Sequence, residues 1–305
     1  MSILGTRGTP TTGDLESADG LAVAELAVRS QGGGGLLRGL LEDWTSRVGL
    51  TIVVILGLLA LLAPVIAPYD PLDLRGARLQ GPSWHHLMGT DNLGRDLLSR
   101  LLFGARLSLG TALLASVLIM VLGVLVGSLA GYFGGVLDAV LMRVVDTILA
   151  FPSLILALVI AGLFRPGLGT LMLAMASVWW VSYARLIRGL ILTVRERQFV
   201  EAARVAGARP SRILARHILP NILPPVIVLA TLEMGVIILA TSALSFLGLG
   251  AQPPTPEWGA MLNDGRTFFF TAPYLMIFPG LAISLAVLGF NLLGDGLRDV
   301  LDPKL

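Results

Sequence analysis

The feature that most constrains this chain is the run from Val48 to Ala67, which holds no charged side chain and is closed by Pro64 and Pro68. At 1.5 Å per residue, a helix of about 20 residues spans the roughly 30 Å of hydrocarbon in a bilayer. Comparable stretches follow at 107–131, 144–164, 168–191, 222–249 and 273–294, so six transmembrane helices are expected. Composition agrees: 55% of the 305 residues are hydrophobic and 14% are charged, where soluble domains run near ~25% charged. The fold class read from these observations is all-α, a polytopic membrane protein.

Two of the spans carry ionisable groups. Arg143 and Asp146 open the third, three residues apart, and read as a local ion pair. Glu233 sits near the middle of the fifth, where a carboxylate facing lipid would cost a few kcal/mol, so it should face the bundle interior. Lining a solute path and making a structural hydrogen bond are both open roles for it. In the second span Gly123, Gly127 and Gly131 recur every fourth residue and form a smooth stripe, which lets another helix approach closely.

Charge placement sets the orientation. With six spans both termini lie on one side, and the segments on that side hold 15 Arg and Lys against 7 on the other. Cationic loops stay in the cytoplasm, so the termini are expected there. Residues 1–35, rich in Gly, Thr and Ala, read as a disordered tail, and their acids argue against a cleaved signal peptide. Leu36, Leu37, Leu40, Leu41 and Trp44 recur at helical spacing, as expected of a short interfacial helix leading into the first span. Residues 36–68 thus form one unit, and 69–305 the core that carries function.

Several chemistries are excluded. There is no cysteine, so neither disulfides nor thiolate sites arise. The only lysine is Lys304, which removes the G-x-x-x-x-G-K-[ST] phosphate loop and places any ATP hydrolysis on other chains. His85, His86 and His217 lie in loops without a supporting acidic cluster, so no metal site and no bound cofactor are expected. A net charge of +2 gives no footprint for nucleic acid.

The cytoplasmic loop 195–221 is the most informative stretch. Glu201, Ala202 and Ala203 lie on one helical run, Gly207 breaks it, and a second run begins near Pro210 and Ser211. Ile213, Leu214, His217 and Ile218 share one face of that run, Arg209, Arg212 and Arg216 another, and Leu219-Pro220-Asn221 ends it before the fifth span. A topology anchor accounts for the arginines alone. The punctuation by Glu-Ala-Ala and Gly fits a pair of short helices with an elbow, shaped to dock on another protein.

On these residues the loop resembles the coupling loop of permease subunits from ABC importers. Arg216-His217-Ile218-Leu219-Pro220-Asn221 is similar to the form in dipeptide and oligopeptide permeases, with His217 where the wider family favours isoleucine. Three further segments resemble that narrower family, in its C-type subunit: Gly89 to Asp96, Ser245 to Gly259, and Asn291 to Asp299. The resemblance spans roughly 45–305. It implies a type I ABC importer-like permease in the bacterial inner membrane, carrying peptides or similar small solutes. The implied partners are a second homologous permease, two cytoplasmic ATPases that hold ATP and magnesium, an extracytoplasmic solute-binding protein, and lipid. Glu201, Ala202, Ala203 and Gly207 would couple to the ATPases; Glu233, Thr241 and Ser245 would lie along the pathway. Members of the family often carry an acid near the position of Thr241, which this chain lacks.

A rival from another class is a secondary transporter using Glu233 or Asp146 as proton carrier, and a third is a non-transporting scaffold. The first would show inverted repeats, and none is visible in the sequence. Before the second span, Asp91 is expected to cap a short outer helix bearing Arg95, Asp96 and Arg100.

Overall fold

The computed structural model describes residues 39–301, and every regular element among them is helical. The tail expected over 1–35, and Leu36 and Leu37 of the expected interfacial helix, lie outside the described residues. Ten helices are labelled in chain order: α1 (Trp44–Ile66), α2 (Leu97–Phe133), α3 (Gly135–Leu149), α4 (Ser153–Gly162), α5 (Leu168–Val194), α6 (Gln198–Val205), α7 (Pro210–Ile213), α8 (Leu219–Phe246), α9 (Trp258–Gly265) and α10 (Tyr274–Leu301). Five spans are single helices long and apolar enough to cross a bilayer; a sixth arises if the bent pair of α3 and α4 counts as one.

That pair corrects the expected third span. Instead of one helix over 144–164, α3 and α4 meet at 88° across Ala150 to Pro152. Pro152 has no N–H to give and keeps the preceding Phe151 out of helical geometry, so the ladder stops there. The ion pairing within this span also differs from expectation. Asp146 binds Arg185 at 2.5 Å rather than Arg143, and Asp138 takes Arg188 in a two-pronged contact at 2.5 and 2.6 Å. Both partners come from α5, which packs along α3. An Arg-to-Asp step along a helix has the less favourable direction for its dipole; of the cross-helix pairs that form instead, Asp138 with Arg188 is forked and Asp146 with Arg185 is single.

The start of the second span is corrected too. The cap of α2 is Asp96, not Asp91: its carboxylate accepts from Ser99 N at 2.8 Å and from Ser99 Oγ at 2.7 Å. No separate outer helix precedes the span. The helix runs unbroken for 37 residues, about 56 Å at the standard rise, so one end projects well beyond the hydrocarbon. Asp91 instead folds its own loop, accepting from Leu93 N and Arg95 N and pairing with Arg95 Nε at 2.6 Å.

The core of the bundle is the seam between α2 and α5. A Cβ placed on Gly123 would lie 2.3 Å from Tyr183 Cβ, and one on Gly127 2.6 Å from the Ala184 carbonyl oxygen. The glycine stripe therefore packs inside this chain. Leucine-free contact of this kind lets backbones approach closely, which is how helices associate in lipid, where apolar burial supplies no drive. Around the seam, α10 packs against both α1 and α8, and α1 also touches α2. Gly49 and Gly289 permit the first of these approaches, and Gly294, closing on Leu232, the second. Asp43 caps α1, accepting from Ser46 N at 2.8 Å.

Candidate functional site: a glycine elbow and a helix clamp

The loop 195–221 folds into α6, a turn, α7 and a π turn over Leu214–Ile218 that leads directly into α8. Here the structure departs from the expected ending at Leu219-Pro220-Asn221, because the helical path continues through those residues. Pro220 lacks a donor and its ring crowds the preceding turn; the wider π turn before it relieves both. The elbow is thereby a direct extension of a span.

Gly207 makes the turn. Its φ of +75° lies in the left-handed region, which costs an L-residue with a side chain roughly 1–2 kcal/mol. Gly207 N donates to Arg204 O at 3.0 Å and Ala208 N to Ala203 O at 3.1 Å, the paired bonds of a Schellman cap. A Cβ on Gly207 would meet nothing within 4 Å. Backbone conformation, not crowding, is what requires glycine here.

Three apolar side chains fix the elbow from beneath: Val200, Ile213 and Ile218 are fully buried in the main core. On the outer surface of the elbow, Glu201, Ala202, Ala206 and Gly207 are exposed, Ala203 is half-buried, and Val205 is 90% exposed. Glu201 makes no ion pair among the described residues. Arg204, Arg209, Arg212 and Arg216 ring this surface, all exposed. Arg195 Nη1, at the base of the elbow, donates to Gly131 O at 3.1 Å and ties it to the end of α2. A small apolar platform with one acid, rimmed by arginines and mounted on the ends of α5 and α8, is rigid on one side and open on the other.

Within the bundle the structure separates the three residues expected along a pathway. Glu233 on α8 is half-buried, its Oε2 shielded and without a hydrogen-bond partner among the described residues, and α5 brings the fully buried Tyr183 near it. The two groups lie within electrostatic range of each other. Thr241 and Ser245 are about 12 and 18 Å farther along the helix toward its C-terminal end, by its rise. The Thr241 hydroxyl is taken up by its own helix, facing Ile237 O at 2.8 Å and Ile238 O at 3.0 Å. Ser245 is buried where Gly250 and Gly259 close on it.

The end of the bundle away from the elbow holds a construction that sequence reading missed. Segment 251–257 leads into α9, whose cap Glu257 accepts from Gly259 N, Ala260 N and Ser108 Oγ at 3.0, 2.9 and 2.9 Å. Trp258 N donates to Ser108 Oγ at 3.1 Å, and Trp258 Nε1 to Leu101 O at 3.0 Å. Buried Arg100 donates to Pro254 O at 3.3 Å, and with Arg95 it faces Asp264 at 3.8 and 3.9 Å. Burial raises the Asp264 carboxyl above its ordinary range, with both arginines opposing the shift. This clamp joins α2 to α9. Its partners lie some 150 positions apart, so no local spacing could reveal it. Ser108→Ala is expected to lower stability by about 1–3 kcal/mol, the cost of leaving buried partners unpaired, seen as an earlier thermal transition; an unshifted transition would deny the clamp its role.

Among the described residues no group of three or more His, Asp or Glu could hold a metal. His86 is occupied with Asp96 at 2.9 Å.

Residues 123–305 match the family described as binding-protein-dependent transport system inner membrane component. Residues 36–82 match the N-terminal TM domain of oligopeptide transport permease C. The chain is 55% identical over 265 residues to the dipeptide transport system permease protein DppC of Escherichia coli (strain K12), covering 85% of this chain and 88% of that one. It is 43% identical over 264 residues to the nickel transport system permease protein NikC of the same strain, covering 86% and 95%. With the glutathione transport system permease protein GsiD of Shigella flexneri serotype 5b it shares 47% over 256 residues, covering 83% and 84%. A solved structure of the MetNI methionine ABC transporter, described as inward facing, matches with a TM-score of 0.55 at 20% identity, covering 67% of this chain and 97% of that one. This likeness supports the fold. On these matches, and with five apolar spans and a bent sixth, the chain belongs to the inner membrane component family of binding-protein-dependent transport systems, as a multi-pass permease of the C type.

Proposed function

We propose that this chain is one of two permease subunits in an ATP-driven importer of dipeptides, oligopeptides or similar small solutes, which an extracytoplasmic binding protein delivers. The elbow carries this reading: a glycine-capped platform of Glu201, Ala202, Ala203 and Val205 mounted on two spans. Small side chains permit close docking, and here they meet a surface on one of a pair of cytoplasmic ATPases. ATP and magnesium bind there. Nucleotide shifts the permease only by favouring one of its forms over the other, so the elbow acts as the bias on a two-state element. The names of the dipeptide and glutathione permeases among the relatives support peptides as the cargo, and that of the nickel permease the wider class of small solutes.

Because α8 continues from the π turn, motion of the elbow passes along that helix to Glu233, which lines the solute path opposite Tyr183. Thr241 and Ser245 lie outward along the same helix, nearer the side where solute enters. Both termini face the cytoplasm, and the core 69–305, with its coupling loop 195–221, does the work.

The test is reconstitution in vesicles with the ATPases, the second permease and the binding protein. Uptake of a labelled dipeptide is expected to require ATP and to persist when ion gradients are collapsed. Uptake that follows the gradient instead would overturn the reading in favour of a secondary transporter, and partner binding without any uptake would favour a scaffold.

A further inference from the structure

The segment between α1 and α2 exposes an unusual amount of apolar side chain for a loop. Leu72, Leu74, Trp84 and Leu87 are all exposed, and Trp84 is 95% accessible, so its indole packs against almost nothing among the described residues. Exposed apolar surface of this kind marks an interaction site. Yet the backbone beneath it is held firmly. Ser83 N donates to His86 O at 2.8 Å, and His86 N donates to Ser83 Oγ at 3.1 Å, closing a turn with Trp84 and His85 at its tip. The Tyr69 hydroxyl donates to His85 O at 2.8 Å, and the Tyr69 and His86 rings lie 4.9 Å apart. His86 is fastened to Asp96, the cap of α2. A rigid turn thus presents a bare indole.

Its height relative to the bilayer follows from Tyr69, which stands three residues beyond Ile66, the last residue of α1. The 23 residues of α1 give about 34 Å of helix, slightly more than the hydrocarbon thickness, so its outer end reaches the headgroups. One tyrosine ring and one hydrogen bond then place the tip at the same level. The outer part of α1 lies on the periphery of the chain, with Leu58, Leu61, Leu62, Val65 and Ile66 all exposed. Lipid is what covers such a face. An indole combines an apolar body with one N–H donor and is favoured where hydrocarbon gives way to headgroups.

We infer that Trp84 is a lipid anchor: the turn 83–86 seats its indole among the headgroups of the outer leaflet, beside the end of α1, and fixes the outer segment against the membrane surface. An extracytoplasmic protein is the competing occupant. The tether to the outward-facing end of α1 favours lipid.

The experiment uses the full chain in phosphatidylcholine vesicles, with tryptophan fluorescence compared between the unsubstituted protein and Trp84→Phe. The difference isolates one of the five tryptophans. That difference is expected to be quenched at least about twofold more by lipids brominated near the headgroup end of the acyl chain than by lipids brominated near the terminal methyl, and to be shielded from aqueous acrylamide. A difference signal that acrylamide quenches freely and brominated lipid leaves unchanged would overturn the proposal. So would shielding that appears only when the binding protein is added, which would assign the indole to that partner. Trp84→Phe replaces a side chain without intramolecular packing, so the fold is kept.

Discussion

Replacing Gly207 by proline is expected to abolish dipeptide uptake while leaving the chain inserted and helical. Proline fixes φ near −65°, whereas Gly207 holds +75°, and proline also removes the N–H that binds Arg204 O. Ala206 would then precede a proline and be driven from its near-helical conformation, with φ −70° and ψ 4°. The Schellman cap cannot form, and the direction of α6 relative to α7 changes. The penalty, about 3 kcal/mol or more, falls on an elbow whose far side is solvent, so the spans need not unfold. Gly207→Ala is the control. It meets no atom within 4 Å and costs only about 1–2 kcal/mol in the left-handed region, so it should retain a substantial part of the uptake. Reconstituted uptake and ATP hydrolysis measured together decide the matter: hydrolysis that continues without transport is the expected result for the proline variant. Unchanged uptake would remove the elbow from the mechanism. Glu201→Lys is expected to act in the same direction, since it adds a cation to a rim already carrying four arginines.

The second large effect is expected at Gly123→Leu. A Cβ there would stand 2.3 Å from Tyr183 Cβ and 3.1 Å from the Trp180 carbonyl oxygen, whereas carbon atoms rest at ~3.5–4.0 Å. Neither helix can yield by rotating a side chain, because one contact is to backbone and the other to a Cβ. α2 and α5 must move apart, and the Gly127 and Gly131 approaches are lost with the first. Overpacking typically costs about 1–3 kcal/mol; a separation along a whole seam should exceed the upper figure, so the expected outcome is a chain that does not accumulate in the membrane. Gly110→Leu, on the same helix with nothing within 4 Å of its Cβ, should accumulate normally. Comparison of the two by membrane yield and thermal unfolding isolates the seam. Equal behaviour of both variants would mean the stripe is not the packing core.

Much of this arrangement is legible in the sequence. The span 48–67 and its neighbours are long uncharged runs, and hydrophobic length is a local property that survives any arrangement of the helices. The stripe of Gly123, Gly127 and Gly131 and the elbow at Gly207 are also local, because glycine spacing and positive φ act within one or two turns. Less was legible wherever a choice between partners decided the outcome. Asp146 has Arg143 within reach on its own helix, yet Arg185 offers the contact. Asp91 and Asp96 are both plausible caps from their spacing; the pairing of Asp91 with Arg95 leaves Asp96 to begin the helix. The break in the third span was not read from the apolar run 144–164, since a proline such as Pro152 can kink, end or merely start a helix, and its 88° bend depends on the packing.

By itself, then, the sequence determined that this chain lives in lipid, where most of its spans run, that it carries no phosphate loop of its own, and that 195–221 forms an elbow. These follow from hydropathy, charge and backbone conformation, which each residue brings with it. Only the tertiary structure decided that the helix on which the glycine stripe closes is α5. It alone showed that Glu233 lies within electrostatic range of Tyr183 while Thr241 and Ser245 are packed away, and that Ser108, Glu257 and Trp258 form one clamp. Contacts between positions 149 or 150 residues apart depend on how whole helices pack, and no window along the chain contains both partners.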